Sequence, residues 1–148
     1  MNTELKIPAV YLHTEELARD VAAGKVELII RSRPFERYTQ KVIFVAGPKH
    51  IHGKVLLSRP EEIDRAKFSS LSAKHHLSDE DRQALWPGAT KLYSFKVVPV
   101  ELFSPPLPYK PPGSTVEFLP TVTFTKTTPK SILTSFQEIR DLEHYDPA

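Results

Sequence analysis

No cysteine occurs among the 148 residues, which excludes disulfides, thiolate zinc sites and cysteine nucleophiles and fits a reducing compartment. Glycine is nearly as scarce. Its five copies are well separated, so neither a Walker-type loop nor a dinucleotide-binding turn can be built from them. No apolar run approaches the roughly 20 residues needed to cross a bilayer. The N-terminus MNTELKIPAVYLHTEEL carries acids early and lacks a basic stretch followed by an apolar core, so neither a membrane span nor a secretory signal is expected. A cytoplasmic protein is the expectation. Neither sign of charge dominates: 20 Lys and Arg face 18 Asp and Glu for a net charge of +2, and that balance alone does not call for a nucleic-acid partner.

Proline, by contrast, is abundant. Five of its 14 copies fall in SPPLPYKPPG, residues 104–113, which reads as an extended polyproline-like surface crossover. Hydrophobic residues make up 40% and charged residues 26% of the chain, the composition of an ordinary globular domain, and the length fits about one domain able to bury a core. Charge is uneven along the chain. Arg31, Arg33, Arg37, Lys41, Lys49 and Lys54 face one acid, Glu36, between residues 31 and 54. That stripe is either a phosphate-binding surface or a solvated strand face.

Thr14 or His13 is positioned to cap a helix carrying Leu17, Val21 and Ala22 at helical spacing, with Gly24 as its terminator. Val26 to Arg31 then reads as a strand in which Val26, Leu28 and Ile30 take one side and Glu27, Ile29, Arg31 and Arg33 the other. Residues 41–46 and 53–58 form a further strand pair, joined through Gly47, Pro48 and a His50-Ile51-His52 turn. Pro60 to Phe68 opens with a proline and acids, favouring a short helix, and Ser78 with Asp81 marks a second helix to Leu85. Trp86-Pro87-Gly88 stops that helix. Lys91 to Phe103 alternates as a long strand broken or bulged at Pro99. The Thr-rich stretch from residue 115 is an edge-strand candidate, and Ile132, Leu133, Phe136, Ile139 and Leu142 line one helix stripe. That stripe would cover the barrel, a second copy of the chain or another protein partner through residues 130–148.

The order of helix, Ala23-Gly24-Lys25, strand ending Arg31-Ser32-Arg33-Pro34, hairpin with Gly53-Lys54-Val55, and Trp86-Pro87-Gly88 before Lys91-Leu92-Tyr93-Ser94-Phe95 resembles the ASCH domain, a branch of the PUA-like superfamily. The Pro-Tyr-Lys-Pro-Pro-Gly segment and Phe118 resemble the extended version of that domain. The resemblance implies an α+β fold, a PUA-like small β-barrel with flanking helices, over residues 1–118, with residues 119–148 as a C-terminal strand and helix extension. It also implies a cleft beside the first helix that binds RNA, single-stranded nucleic acid or a modified nucleobase. Some members are hydrolases. The lysine, threonine and glutamate of the acetylcytidine amidohydrolases fall near Val26, Ile29 and His76, and none of these matches. The resemblance therefore leaves three alternatives: a nucleic-acid binder, a ribonuclease or N-acyl nucleoside amidohydrolase, and an interaction module of a phage or mobile-element assembly.

The residues themselves offer Lys25, Glu27, Arg31, Arg33, Lys54 and Tyr93 as a binding set, the cations for phosphate, Glu27 for a base amine and Tyr93 for stacking. Each also has a plain reading as a solvated or core side chain. Lys25, His75 and His76 are candidate general bases should the chain be an enzyme. His50 and His52 share a strand face at i, i+2, but without a recognisable third ligand no metal site is expected, and no cofactor.

Overall fold

The computed structural model describes residues 3–114 and 116–125. Along these the chain runs β1 (Thr3–Leu5), β2 (Ala9–Tyr11), α1 (Glu15–Ala22), β3 (Leu28–Arg31), a 3-10 turn (Glu36–Tyr38), β4 (Val42–Ala46) and β5 (His50–Leu57). It continues through β6 (Glu61–Ile63), α2 (Arg65–Ser70), α3 (Ser72–His75), α4 (Asp79–Leu85), β7 (Leu92–Pro108), β8 (Phe118–Leu119) and β9 (Val122–Phe124). The strands curl into a mixed sheet ordered β3-β7-β5-β4-β2-β8, with β6 added to β7 and a separate β1-β9 pair. β2 lies parallel to β4 and antiparallel to β8. This curled half-barrel with flanking helices is consistent with the small β-barrel that the sequence resemblance implied.

Strand alternation sets the layers. In β4, Ile43 and Val45 face a core with Val10, Val55, Phe95 and the α1 residues Ala18 and Val21. Phe44 and Ala46 face the opposite core with Ile51, Phe103, Val122 and Phe124. Residues 122–124, expected in the extension, therefore pack with the barrel strands. The stripe from Ile132 to Leu142 lies outside the described residues.

Local signals place the helices. Thr14 caps α1, its hydroxyl oxygen accepting from the Leu17 N–H at 3.1 Å, and Gly24 follows the C-cap at φ +82°. Ser78 and Asp81 close the expected capping box on α4. α1 then presses onto the sheet at Gly53, where a Cβ would collide with the Glu101 carbonyl oxygen and come within 2.9 Å of the Ala22 methyl. Gly53→Ala is thus expected to cost about 1–3 kcal/mol by overpacking, read as a lower urea midpoint at an unchanged denaturant slope. An unchanged midpoint would mean that both α1 and the β5–β7 ladder yield freely to the added methyl.

Three expectations are corrected. The helix expected over Pro60–Phe68 is split, because Glu61–Ile63 pair with Leu92–Ser94 of β7 and the helix starts only at Arg65, capped by Asp64. His50-Ile51-His52 is no turn: these residues open β5, and Gly47–Lys49 make the connection. The crossover expected over 104–113 is strand as far as Pro108, with His50 and Ile51 in register with Pro108 and Leu107. Bulges at Ile51/Gly53 and Lys54/Val55 let the proline-rich strand follow its partner despite the missing N–H donors. Among the described residues no helix is long and apolar enough to cross a membrane.

Candidate functional site

β3 is buried along its whole length, because both faces are covered: the Ile29 face by the α1 core, and the Ile30 face by Ile63, Leu77 and Phe68 of α2. Arg31, expected on an exposed face, is only 6% exposed. Its Nη1 donates to the Ile30 carbonyl and its Nη2 to the Tyr11 carbonyl, both at 2.6 Å. Among the described residues its Nε has no partner. Burial pulls the guanidinium pKa down to about 10, with the Glu117 carboxylate opposing, so the group remains charged at neutral pH.

Glu117 gathers the surrounding loops. Its carboxylate accepts from the Ser32 N–H at 2.8 Å, from the Ser32 hydroxyl and from the Trp86 indole N–H at 3.2 Å. Arg31, Trp86, Glu117, Tyr11 and His13 line a cavity of about 70 Å³. His13 also lines a wider hollow of about 250 Å³ with Glu16, Asp20, His76 and Asp81. Burial pushes the His13 imidazole pKa down, Asp81 opposing and Arg31 adding to the shift.

Beside this cleft lies an aromatic cluster. Tyr38 stacks on Phe118 at 4.4 Å between centroids, and Phe35 meets Phe118 at 4.8 Å. Each ring carries a guanidinium: Arg31 lies 5.6 Å from the Phe118 centroid, Arg33 5.2 Å from Phe35 and Arg37 4.9 Å from Tyr38. Stacking on a ring leaves the edge of a guanidinium, with its N–H groups, available to an anion.

The structure does not gather the whole set read from the sequence. Lys25 and Glu27 are exposed at the α1–β3 turn and line none of the hollows that His13 lines. Lys54 is buried, its Nζ 3.3 Å from the Glu101 carboxylate across the β5–β7 ladder. This corrects its reading as a surface cation: the pairing partner comes from a strand that the local charge pattern does not contain. Tyr93 is half-buried, in register with Arg31. His75 is a correction of another kind. It is 1% exposed, its Nε2–H donates to the Phe68 carbonyl at 2.7 Å and its Nδ1 accepts from the Leu77 N–H at 3.0 Å, so no lone pair remains for a general base. His76 is exposed, takes a left-handed backbone at φ +59° and does line the wider hollow. Arg37 was visible only as a charge, and Trp86, read as part of a helix stop, contributes to the cavity wall.

A second cluster joins the start of α1 to the β4–β5 hairpin. The two oxygens of Glu15 are divided between two imidazoles: Oε1 lies 3.0 Å from His50 Nδ1, and Oε2 contacts His52 Nε2. The Lys49 N–H also donates to Oε1, at 2.7 Å. Burial alone would raise the Glu15 pKa, but the hydrogen bonds from His52, His50 and Lys49 outweigh it and hold it below the usual carboxylate value. Gly47 makes room, since a Cβ there would strike the Glu15 carboxylate.

Comparison with known proteins matches this geometry to one fold. The ASCH protein of Zymomonas mobilis superimposes with a TM-score of 0.61 at 16% identity, over 90% of this chain and 95% of that one. The chain has the ASCH fold. A tyrosine-to-phenylalanine variant of the Zymomonas mobilis ASCH protein gives a TM-score of 0.59 at 14% identity, over 91% of this chain and 99% of that one. A serine-to-alanine variant gives 0.59 at 16% identity over 90% and 95%. No family model and no curated protein sequence matches the chain. Identities this low carry the ASCH fold alone, so the chemistry of the cleft rests on the residues described above.

Proposed function

We propose that this ASCH-fold chain binds single-stranded RNA or a nucleotide with a modified base. The observation that carries the reading is the pair of exposed guanidiniums, Arg33 and Arg37, each placed over a ring of the aromatic cluster that also holds Phe118, over which sits Arg31 from the wall of the smaller cavity. Phosphates go to Arg33 and Arg37, while Arg31 keeps both Nη groups on backbone carbonyls. The wider hollow holds Glu16, Asp20 and Asp81, whose charge repels a phosphate but accepts from the amine edge of a base. Trp86, partly exposed in the smaller cavity, offers an indole for stacking.

Fluorescently labelled single-stranded RNA tests this. Affinity should fall with salt, and the double charge reversal Arg33→Glu/Arg37→Glu should weaken it and reduce the slope of log K against log salt by about 0.7 for each phosphate no longer neutralised. Both side chains are exposed, so the fold should survive. The chain holds one tryptophan, and its emission should respond to RNA. A reversal variant that binds as the parent does, with the same salt slope, would overturn the proposal. Release of labelled fragments would move the reading to the hydrolase alternative.

A further inference from the structure

We propose that Glu15, His50 and His52 form a binding site for a divalent first-row transition ion, with Zn²⁺ as the probe. This inference is independent of the RNA reading. Two segments far apart in sequence bring one carboxylate oxygen and two imidazole nitrogens to within 4.8 Å of one another. Around a tetrahedral ion with bonds of about 2.0–2.2 Å, neighbouring ligand atoms lie roughly 3.3 Å apart. The His50 Nδ1 to Glu15 Oε1 separation of 3.0 Å is already close to that edge, so an ion could be accommodated by small side-chain shifts.

The donor set narrows the ion. Two imidazoles with one carboxylate suit Zn²⁺, Fe²⁺, Mn²⁺, Co²⁺ or Ni²⁺, whereas Mg²⁺ and Ca²⁺ take oxygen ligands. Access and orientation are both provided. The His52 side chain is 6% exposed and anchors the inner side, while His50 and Glu15 side chains are 39% and 34% exposed and leave an entry path. The Lys49 N–H holds the carboxylate from outside the trio, the kind of outer hydrogen bond that fixes a metal ligand's direction. Without an ion, a proton makes each imidazole–carboxylate contact. Metal binding would take the lone pairs of His50 Nδ1 and His52 Nε2, so those protons must leave or move to the other ring nitrogens. No bond other than these N–H bonds is broken.

The test is calorimetric titration of Zn²⁺ into the full chain after chelator stripping, with Co²⁺ and its visible ligand-field bands as a second readout. One ion per chain is expected. Glu15→Gln, His50→Gln and His52→Gln should each weaken binding by at least the roughly 10–100-fold that loss of an orienting partner costs, and should shift or abolish the Co²⁺ bands. Circular dichroism checks the fold of each variant. If His52→Gln unfolds the chain, the more exposed Glu15 and His50 variants decide the matter. Gly47→Ala, which displaces the Glu15 carboxylate without removing a ligand, should also weaken binding. Absence of stoichiometric Zn²⁺ uptake, or uptake by folded Glu15→Gln and His50→Gln proteins equal to the parent's, would overturn the inference.

Discussion

Glu117→Ala is expected to lower stability by about 2–4 kcal/mol, since a charge-assisted hydrogen bond contributes roughly 1.5–3 kcal/mol and the partly exposed site reduces each share. The carboxylate receives the Ser32 N–H, the Ser32 hydroxyl and the Trp86 indole N–H. Removing it leaves these donors without their protein acceptor and takes the nearest opposing charge from Arg31. Structure and function should therefore fail together: the end of β3, the turn after α4 and the approach to β8 separate, and with them the cavity wall on which a base would rest. The urea midpoint measures the loss, and Trp86 emission reports the separation directly. Glu117→Gln keeps an acceptor oxygen and should lose less. A loss within about 0.5 kcal/mol, the range of unremarkable surface substitutions, would show that the three hydrogen bonds are incidental.

Acidification is expected to destabilise the fold through His75. Its ring stacks on Phe68 at 4.2 Å between centroids and spends both nitrogens on backbone partners. Protonating Nδ1 would turn it towards a second donor, the Leu77 N–H. Burial pulls the folded-state pKa below the ordinary value, the Phe68 carbonyl and Asp79 opposing and His76 adding to the shift. The unfolded chain therefore takes the proton first. The His75 contribution is fully present above the unfolded pKa of about 6.5 and is lost as pH falls towards the folded pKa, at up to about 1.4 kcal/mol per pH unit. Urea unfolding between pH 7.5 and 5 should show this slope, and His75→Gln, which retains one donor and one acceptor, should flatten it. Parallel curves for parent and variant would assign the acid sensitivity to other groups.

Local signals were the readable ones. Thr14 and the Ser78–Asp81 pair mark helix starts through hydrogen bonds to N–H groups three residues away, so the caps of α1 and α4 could be recognised without a fold. The apolar, β-branched run of β4 likewise appears in its own five residues. What was hidden depends on distant partners. Pro60-Glu61-Glu62 has the composition of a first helical turn, yet the edge of β7 captures Glu61–Ile63 as a strand, a tertiary override of local preference. Arg31 and Lys54 look like surface cations until Tyr11, Phe118 and Glu117 close over the first and the Glu101 carboxylate reaches the second. The i, i+2 pairing of His50 and His52 was visible, but Glu15 lies 35 residues before His50, with no local pattern to join them. Lys25 and Glu27, chosen for their place after a helix-ending glycine, are carried outward by the same turn.

The long strand β7 pairs with β3, β5 and β6, and this gives biosynthesis an order. Three earlier strands leave the ribosome with open edges and wait for residues 92–108, a delay of some seconds at about 5–20 residues per second. β2 waits longer still, for Phe118 and Leu119. Until then the nascent chain presents apolar, unpaired ladders of the kind that associate between molecules, so its yield should depend on translation speed and on chaperones that shield such edges, even where the finished protein is stable.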